Sequence, residues 1–273
     1  MSNGDKNMRD IRVGKVGALA IGCVAAVASA NGVNAATVAA LQDGNRIVWI
    51  DIAKKKVTRS VALAGQARLV GFDVRPKDGM LYGVTASGAI VTVDAKTGKW
   101  QQRSQLSEAL PKGAAITVDF NPVADRMRIL SSTGLSLRVN VDDGKAIVDG
   151  SLKYAESDPS KGRTPNVTAG SYSNSFAGTK ETTLYDIDAS TGMLLRQVPP
   201  NDGVLASIGS LGIKLNGPVA FDIASNGQGG NVGWLVNGGR LYSVDIATGA
   251  AKSVGAIAGL KGRIGDIAVL PGM

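Results

Sequence analysis

Five segments of this chain align with one another without gaps, and their shared pattern limits the possible folds more than any other feature. They are RIVWIDIAKKKV from Arg46, AIVTVDAKTGKW from Ala89, LSLRVNVDDGKA from Leu135, TLYDIDASTGML from Thr183 and RLYSVDIATGAA from Arg240. In each, alternating apolar residues of a half-buried strand run into Asp51, Asp94, Asn140, Asp188 or Asp245. Four of the five have a glycine four residues later (Gly98, Gly144, Gly192, Gly249). Asp or Asn opens a turn by accepting backbone N–H bonds, and glycine supplies the positive φ that closes it, so these acids read as structural.

A second repeated segment lies about twenty residues upstream of each turn: RLVGFDVRP from Arg68, AITVDFNP from Ala115, NVTAGSYSNS from Asn166 and GPVAFDIASN from Gly217. Together the two segments make a four-strand unit. In the second unit the strands are expected at Leu69–Val74, Met80–Thr85, Ala89–Asp94 and Lys99–Leu106. The period is roughly 45 to 50 residues, the scale of a propeller blade. The first unit, Thr37 to Leu63, is one strand short, and the chain closes on an orphan copy, RIGDIAVLP, from Arg263 to Pro271. Adding the orphan to the first unit closes a ring and removes its exposed sheet edges. The expected fold is all-β, a propeller of five four-stranded blades closed by the C-terminal strand. Abundant glycine (36 residues) and few aromatics (4%) agree with many short strands and tight turns.

Residues 1–35 do not fit this pattern. A basic start (Lys6, Arg9, Arg12, Lys15) precedes the apolar run Val16–Ala30, and small residues follow, which reads as a secretory signal peptide; small residues allow cleavage after Ala30 or after Ala35, the second being preferred. The run is shorter than the ~20 residues needed to span a bilayer. A single propeller domain over 36–273, periplasmic or extracellular, is expected, with no membrane span after cleavage. Removing 1–35 takes four basic and two acidic side chains, lowering the formal charge from +8 to about +6. The remaining Lys and Arg are scattered among acids without interleaved aromatics, which argues against nucleic-acid binding. The one cysteine, Cys23, would leave with the signal, and the chain has no histidine. This excludes thiol nucleophiles, thiolate metal sites and every His-dependent triad or His-liganded metal in the mature domain.

The strings GFDVRP, LYGVT, VDFNPVADRMRIL, LRVN, TTLYDID, PPNDG and LYSVDIATG resemble a bacterial family of exported proteins, domain-of-unknown-function family 4394. The resemblance runs from about Leu41 to Val269 and implies the fold and export; it implies no activity.

Two clusters are candidates for ligand binding. The innermost strands place Asp73, Asp119, Asp222 and Asp266 at equivalent positions, with Ser171 in the fourth blade, as a ring around the channel. Converging acids suit a hard cation such as calcium, or raise one another's pKa for acid catalysis. The preferred reading is plainer: each Asp caps backbone amides or pairs with a nearby Arg, locking blade to blade. The third blade carries Arg126, Arg128 and Arg138 in one hairpin, the first two on the same face. Guanidinium groups suit carboxylate, sulfate or phosphate, but internal pairing with residues such as Asp119, Asp125 or Asp142 is preferred. Trp49, Trp100 and Trp234 lie in or beside strands and read as inter-blade packing rather than sugar platforms. The long polar connections 153–166, 173–182 and 225–231 read as plain connectors, though propellers also bind through such loops.

Without a completed catalytic set, the expected function is non-catalytic: a binding or scaffold protein that contacts an unknown protein, small molecule or glycan through loops and channel mouth. The alternative is a metal-assisted or carboxylate-based hydrolase of a glycan or lactone at the Asp ring. Against that alternative stand just three glutamates (Glu108, Glu156, Glu181), all in expected loops, and the scarcity of aromatics for sugar stacking.

Overall fold

The computed structural model describes residues 1, 37–65 and 68–270; the expected signal segment and its cleavage site lie outside the described residues. Three strands, Thr37–Gln42 (β1), Arg46–Asp51 (β2) and Lys56–Ala62 (β3), begin the first blade. The second blade is Leu69–Val74 (β4), Leu81–Thr85 (β5), Ala89–Val93 (β6) and Trp100–Gln105 (β7). The third is Ile116–Asn121 (β8), Arg126–Ser131 (β9), Ser136–Val139 (β10) and Ala146–Val148 (β11). A two-residue strand, Lys153–Tyr154 (β12), then precedes the fourth: Val167–Tyr172 (β13), Leu184–Asp188 (β14), Met193–Gln197 (β15) and Val204–Ser210 (β16). The fifth is Ala220–Ser225 (β17), Asn231–Asn237 (β18), Arg240–Val244 (β19) and Ala251–Ala256 (β20), and Ile264–Leu270 (β21) ends the chain. The five sheets form a β-propeller.

Strand β21 pairs antiparallel with β1, with Val38 opposite Val269 and Leu41 opposite Asp266, so the first blade runs β21-β1-β2-β3. The expected closure by the orphan segment is the one observed. The inner strands β21, β4, β8, β13 and β17 pack against one another in that cyclic order.

Five apolar clusters hold the ring, one at each junction of neighbouring blades. Trp49, Leu69 and Phe72 are in the one between blades one and two, and Trp234 and Ile50 in the one between five and one. Each middle strand is covered on both faces, which is why β2 buries four consecutive residues, Ile47 to Ile50. The outer strands β3 and β7 are mostly exposed and correspondingly polar. Fully burying one such Leu or Ile contributes roughly 1.5–3 kcal/mol, so the junctions are the main source of stability.

The turn chemistry behaves as expected in four blades and differs in the fourth. Asp51, Asp94, Asn140 and Asp245 accept the N–H of Lys54, Lys96, Asp142 and Ala247 at 2.7–3.1 Å, each opening the turn between third and fourth strands. Asp188 makes the same turn, but between β14 and β15, the second and third strands of its blade. The gapless alignment therefore misplaces the fourth copy by one hairpin, because identical local chemistry closes either turn. The connection equivalent to the other four is Val198–Gly203, ending on Gly203 (φ 67°).

This reassignment matters because the turn residue also latches neighbouring blades. The carbonyls of Lys55, Gly98, Gly144 and Gly203 accept the N–H of Ala258, Ala64, Ser107 and Lys153, residues just beyond the preceding blade's outer strand, at 2.8–3.0 Å. A Cβ on Gly98, Gly144 or Gly203 would collide with the carbonyl of Ala62, Gln105 or Gly150, whereas one on Gly192 would meet nothing nearer than 4.0 Å. Lys55 takes a positive φ (53°) at the one latch without glycine.

The connection 153–166 is not a plain loop. Its β12 adds a fifth, parallel strand to the fourth blade, and Tyr154 donates to Asp188 (2.6 Å) while Asp158 accepts the Ser207 N–H (2.6 Å).

Candidate functional site

Inner strands expose one edge to the propeller axis, leaving N–H groups that no neighbouring strand pairs. The ring residues meet this need. Asp73 accepts the Phe120 N–H (2.9 Å), Asp119 the Tyr172 N–H (3.1 Å), Ser171 the Ile223 N–H (3.1 Å), Asp222 the Val269 N–H (2.5 Å) and Asp266 the Phe72 N–H (3.1 Å). Each thus reaches from its own blade to the next, and the last bond crosses from β21 to β4. Asp266 also accepts the Val118 N–H (3.3 Å), and the Ser171 hydroxyl donates to Asp222 (2.7 Å).

Strand alternation brings all four acids and the serine together as the sequence implied, and their exposures of 0–5% close the channel to solvent at this level. Burial raises the pKa of Asp73, Asp119 and Asp266 well above the ordinary carboxylate range and raises Asp222 as well. Neighbouring carboxylates push Asp73 and Asp119 further in the same direction, against the pull of the amides. Among the described residues no three His, Cys, Asp or Glu side chains are placed to hold a metal ion. A calcium ion would have to compete with the backbone for the same oxygens.

The three arginines part company. Arg128 is buried between blades three and four, donating to Tyr172 Oη (3.2 Å), Ser136 Oγ (3.0 Å), Asn201 Oδ1 (3.1 Å) and Asp149 Oδ2 (2.5 Å). Arg138 lies opposite Arg128 in register and grips the same Asp149 with two nitrogens (2.8 Å). Arg126 is exposed and folds back on the carbonyls of Ala124 and Asp125. The pairing is internal, but its acid is Asp149. Asp125 instead receives Arg75 (2.7 Å), and Asp142 receives Arg103 (2.9 Å). Hairpin register held the missing signal: β10 pairs with β11 so that Asp149 follows Val148 beside Ser136, diagonal to Arg138.

At the end where the inner strands begin, the channel opens into a funnel of about 410 Å³ lined by residues of all five inner strands or the turns leading into them. Its charged side chains are Arg68, Arg263 and Asp43. Asp43 is committed to the rim: its carboxylate accepts the Arg263 N–H (2.8 Å) and its carbonyl accepts Arg68 (3.2 Å).

The sequence model of the domain of unknown function DUF4394 matches residues 46–268. The chain belongs to this family. No curated protein matches it. Among solved structures, this DUF4394 protein resembles one of unknown function from Bacteroides thetaiotaomicron, at 16% identity and TM-score 0.53, covering 88% of this chain and 64% of the other. It also resembles a protein of unknown function from Bacteroides caccae (15%, TM-score 0.45, 81% and 73% covered). A third is an auxiliary nutrient binding protein from Bacteroides ovatus (16%, TM-score 0.48, 81% and 57% covered). The chain spans less than two thirds of the first and third of these. At such identities the likeness concerns the fold alone.

One feature of the DUF4394 domain went unread in its sequence. Asp186, at the centre of β14, is fully buried with neither carboxylate oxygen hydrogen-bonded, and burial pushes its pKa up to about 8 against the pull of Arg128. The signal was an acid at the centre of the strand LYDID, between Tyr185 and Ile187. Trp49 and Trp234 pack between blades as expected, but Trp100 is 38% exposed on the rim of a cleft.

Proposed function

We propose that this protein is an exported, non-catalytic binding protein that receives its ligand in the funnel at the channel mouth. The observation that carries this reading is the commitment of the ring. Asp73, Asp119, Asp222 and Asp266 are buried and turned to the backbone of the next blade, so a glycan or lactone in the funnel meets no open acid–base pair. What it meets is a concave wall with Arg68 and Arg263, suited to a ligand carrying an acidic group, a sugar acid among them. Export rests on the basic start and apolar run of residues 1–35.

The test uses oligogalacturonate as the acidic probe, followed by calorimetry and by product analysis. The expected result is saturable binding without cleavage, weakened about tenfold in Arg68→Ala/Arg263→Ala. Cleavage lost in Asp119→Asn would replace this reading with the hydrolase. A calcium-dependent rise in the unfolding midpoint, reversed by EDTA and absent in Asp222→Asn, would add a channel ion.

A further inference from the structure

At the opposite ends of the inner strands, a cleft of about 590 Å³ separates blades one and two. Its walls are mainly apolar, with Met80 and Trp100 among the few large hydrophobic side chains left exposed on the described surface. The Trp100 indole is held in place by its Nε1–H, which donates to the Ala64 carbonyl (2.9 Å), leaving the ring available for contact. Trp49 is buried beside the cleft, and the Arg59 guanidinium lies 5.1 Å over its ring, fixed by a bond to the Lys96 carbonyl (2.5 Å).

Cations outnumber carboxylates in the cleft by three to one. Arg59, Lys96 and Lys99 line the cleft, and among the described residues none of them forms an ion pair. The cleft's one carboxylate, Asp94, is occupied by the amides of its own turn, Lys96 N–H (2.7 Å) and Thr97 N–H (3.3 Å). Unpaired cations around an apolar, aromatic-walled cavity of small-molecule size match a ligand that is both apolar and negatively charged. A neutral sugar would use neither the three charges nor most of the wall.

We infer that this cleft is a second binding site, one that takes an organic anion with a flat apolar body against Trp100 and Met80 and its carboxylate, sulfate or phosphate toward Arg59, Lys96 and Lys99. The site is independent of the channel mouth, which lies at the other end of the inner strands.

The test is fluorescence titration with 8-anilinonaphthalene-1-sulfonate, and with N-phenyl-1-naphthylamine as its uncharged counterpart. The sulfonate binds saturably at one site, and its affinity falls about tenfold in Lys96→Gln/Lys99→Gln and about tenfold in Trp100→Ala, while Trp100→Phe retains it. The uncharged dye binds more weakly and is indifferent to the lysine substitutions. The lysines are exposed, so their replacement leaves the unfolding midpoint in place and keeps the test valid should Trp100→Ala fold poorly. Unchanged sulfonate binding in the lysine variant, or no saturable binding at all, overturns the inference. Loss confined to Arg68→Ala/Arg263→Ala also overturns it, by placing the anion in the channel mouth and supporting that reading instead. Failure of oligogalacturonate to bind, with the sulfonate results as expected, removes only the channel-mouth reading.

Discussion

Asp186 should make this propeller less stable as the pH rises, and the size of the effect can be worked out. Its carboxyl is 0% exposed, hydrogen-bonds to nothing, and holds its proton to about pH 8 in the folded state, against 3.8 for an ordinary Asp. Because the folded pKa is raised, the stability is fully present below about pH 4, falls as the unfolded chain gives up its proton while the folded one keeps it, and levels off above about pH 8. Each unit in that window costs 1.36 kcal/mol, so between pH 5 and pH 8 the loss from this one group approaches about 4 kcal/mol. That is a large share of the ~5–15 kcal/mol that holds a domain together. The assay is guanidinium unfolding of wild type and Asp186→Asn at both pH values. The amide cannot ionise, so its unpaired polar atoms impose a cost that does not vary with pH. The difference between the two proteins should grow toward high pH in favour of the variant. The ring acids, whose pKa values are also raised, slope the same way in both proteins and cancel in the comparison. Parallel pH profiles for wild type and variant would refute the reasoning.

Asp73→Ala should lower stability by roughly 2–4 kcal/mol, since the N–H groups of Phe120 and Val74 lose their acceptor in a buried site, and Asp73→Asn, which keeps one acceptor oxygen, by less; thermal unfolding compares them. Gly203→Ala and Gly192→Ala share a positive φ, but only the first drives a Cβ into backbone; denaturant unfolding should show a loss of about 1 kcal/mol for Gly192→Ala and well beyond that for Gly203→Ala. Equal losses would count against the reassigned turn. Lys55→Gly should raise the unfolding midpoint by relieving the left-handed backbone at the one latch without glycine, a gain of up to about 1 kcal/mol. Truncation after Gly262 removes β21 and with it Asp266, and the product should be insoluble or unfolded by circular dichroism; a folded, soluble product would contradict the ring closure.

The blades were legible because their signals are local. Short apolar runs such as AIVTV and LYGVT, an Asp or Asn to open a turn and a glycine to close it all depend on residues within a few positions of one another. The ring was legible for a related reason: equivalent positions on equivalent strands must converge on the axis of a closed propeller. Blade four was not, because Asp188–Gly192 carries the same turn signal at a different hairpin, and only strand pairing tells the two apart. The arginine cluster failed similarly, since the acid that binds Arg128 and Arg138 is chosen by register and by the approach of blade four, which supplies Tyr172 and Asn201.

By itself the sequence determined the number of blades, the closing role of Ile264–Leu270 and the residue types facing the channel. These follow from periodicity, turn chemistry and the need to leave no sheet edge open. Tertiary structure decided where the carboxylates spend their lone pairs, which acid meets which arginine, and that Trp100, Arg59 and Lys96 surround one cleft. The ring and cleft contacts join residues tens of positions apart across blade junctions, with distances set by how neighbouring sheets pack, whereas Arg138 meets Asp149, 11 residues on, through the register of its own hairpin.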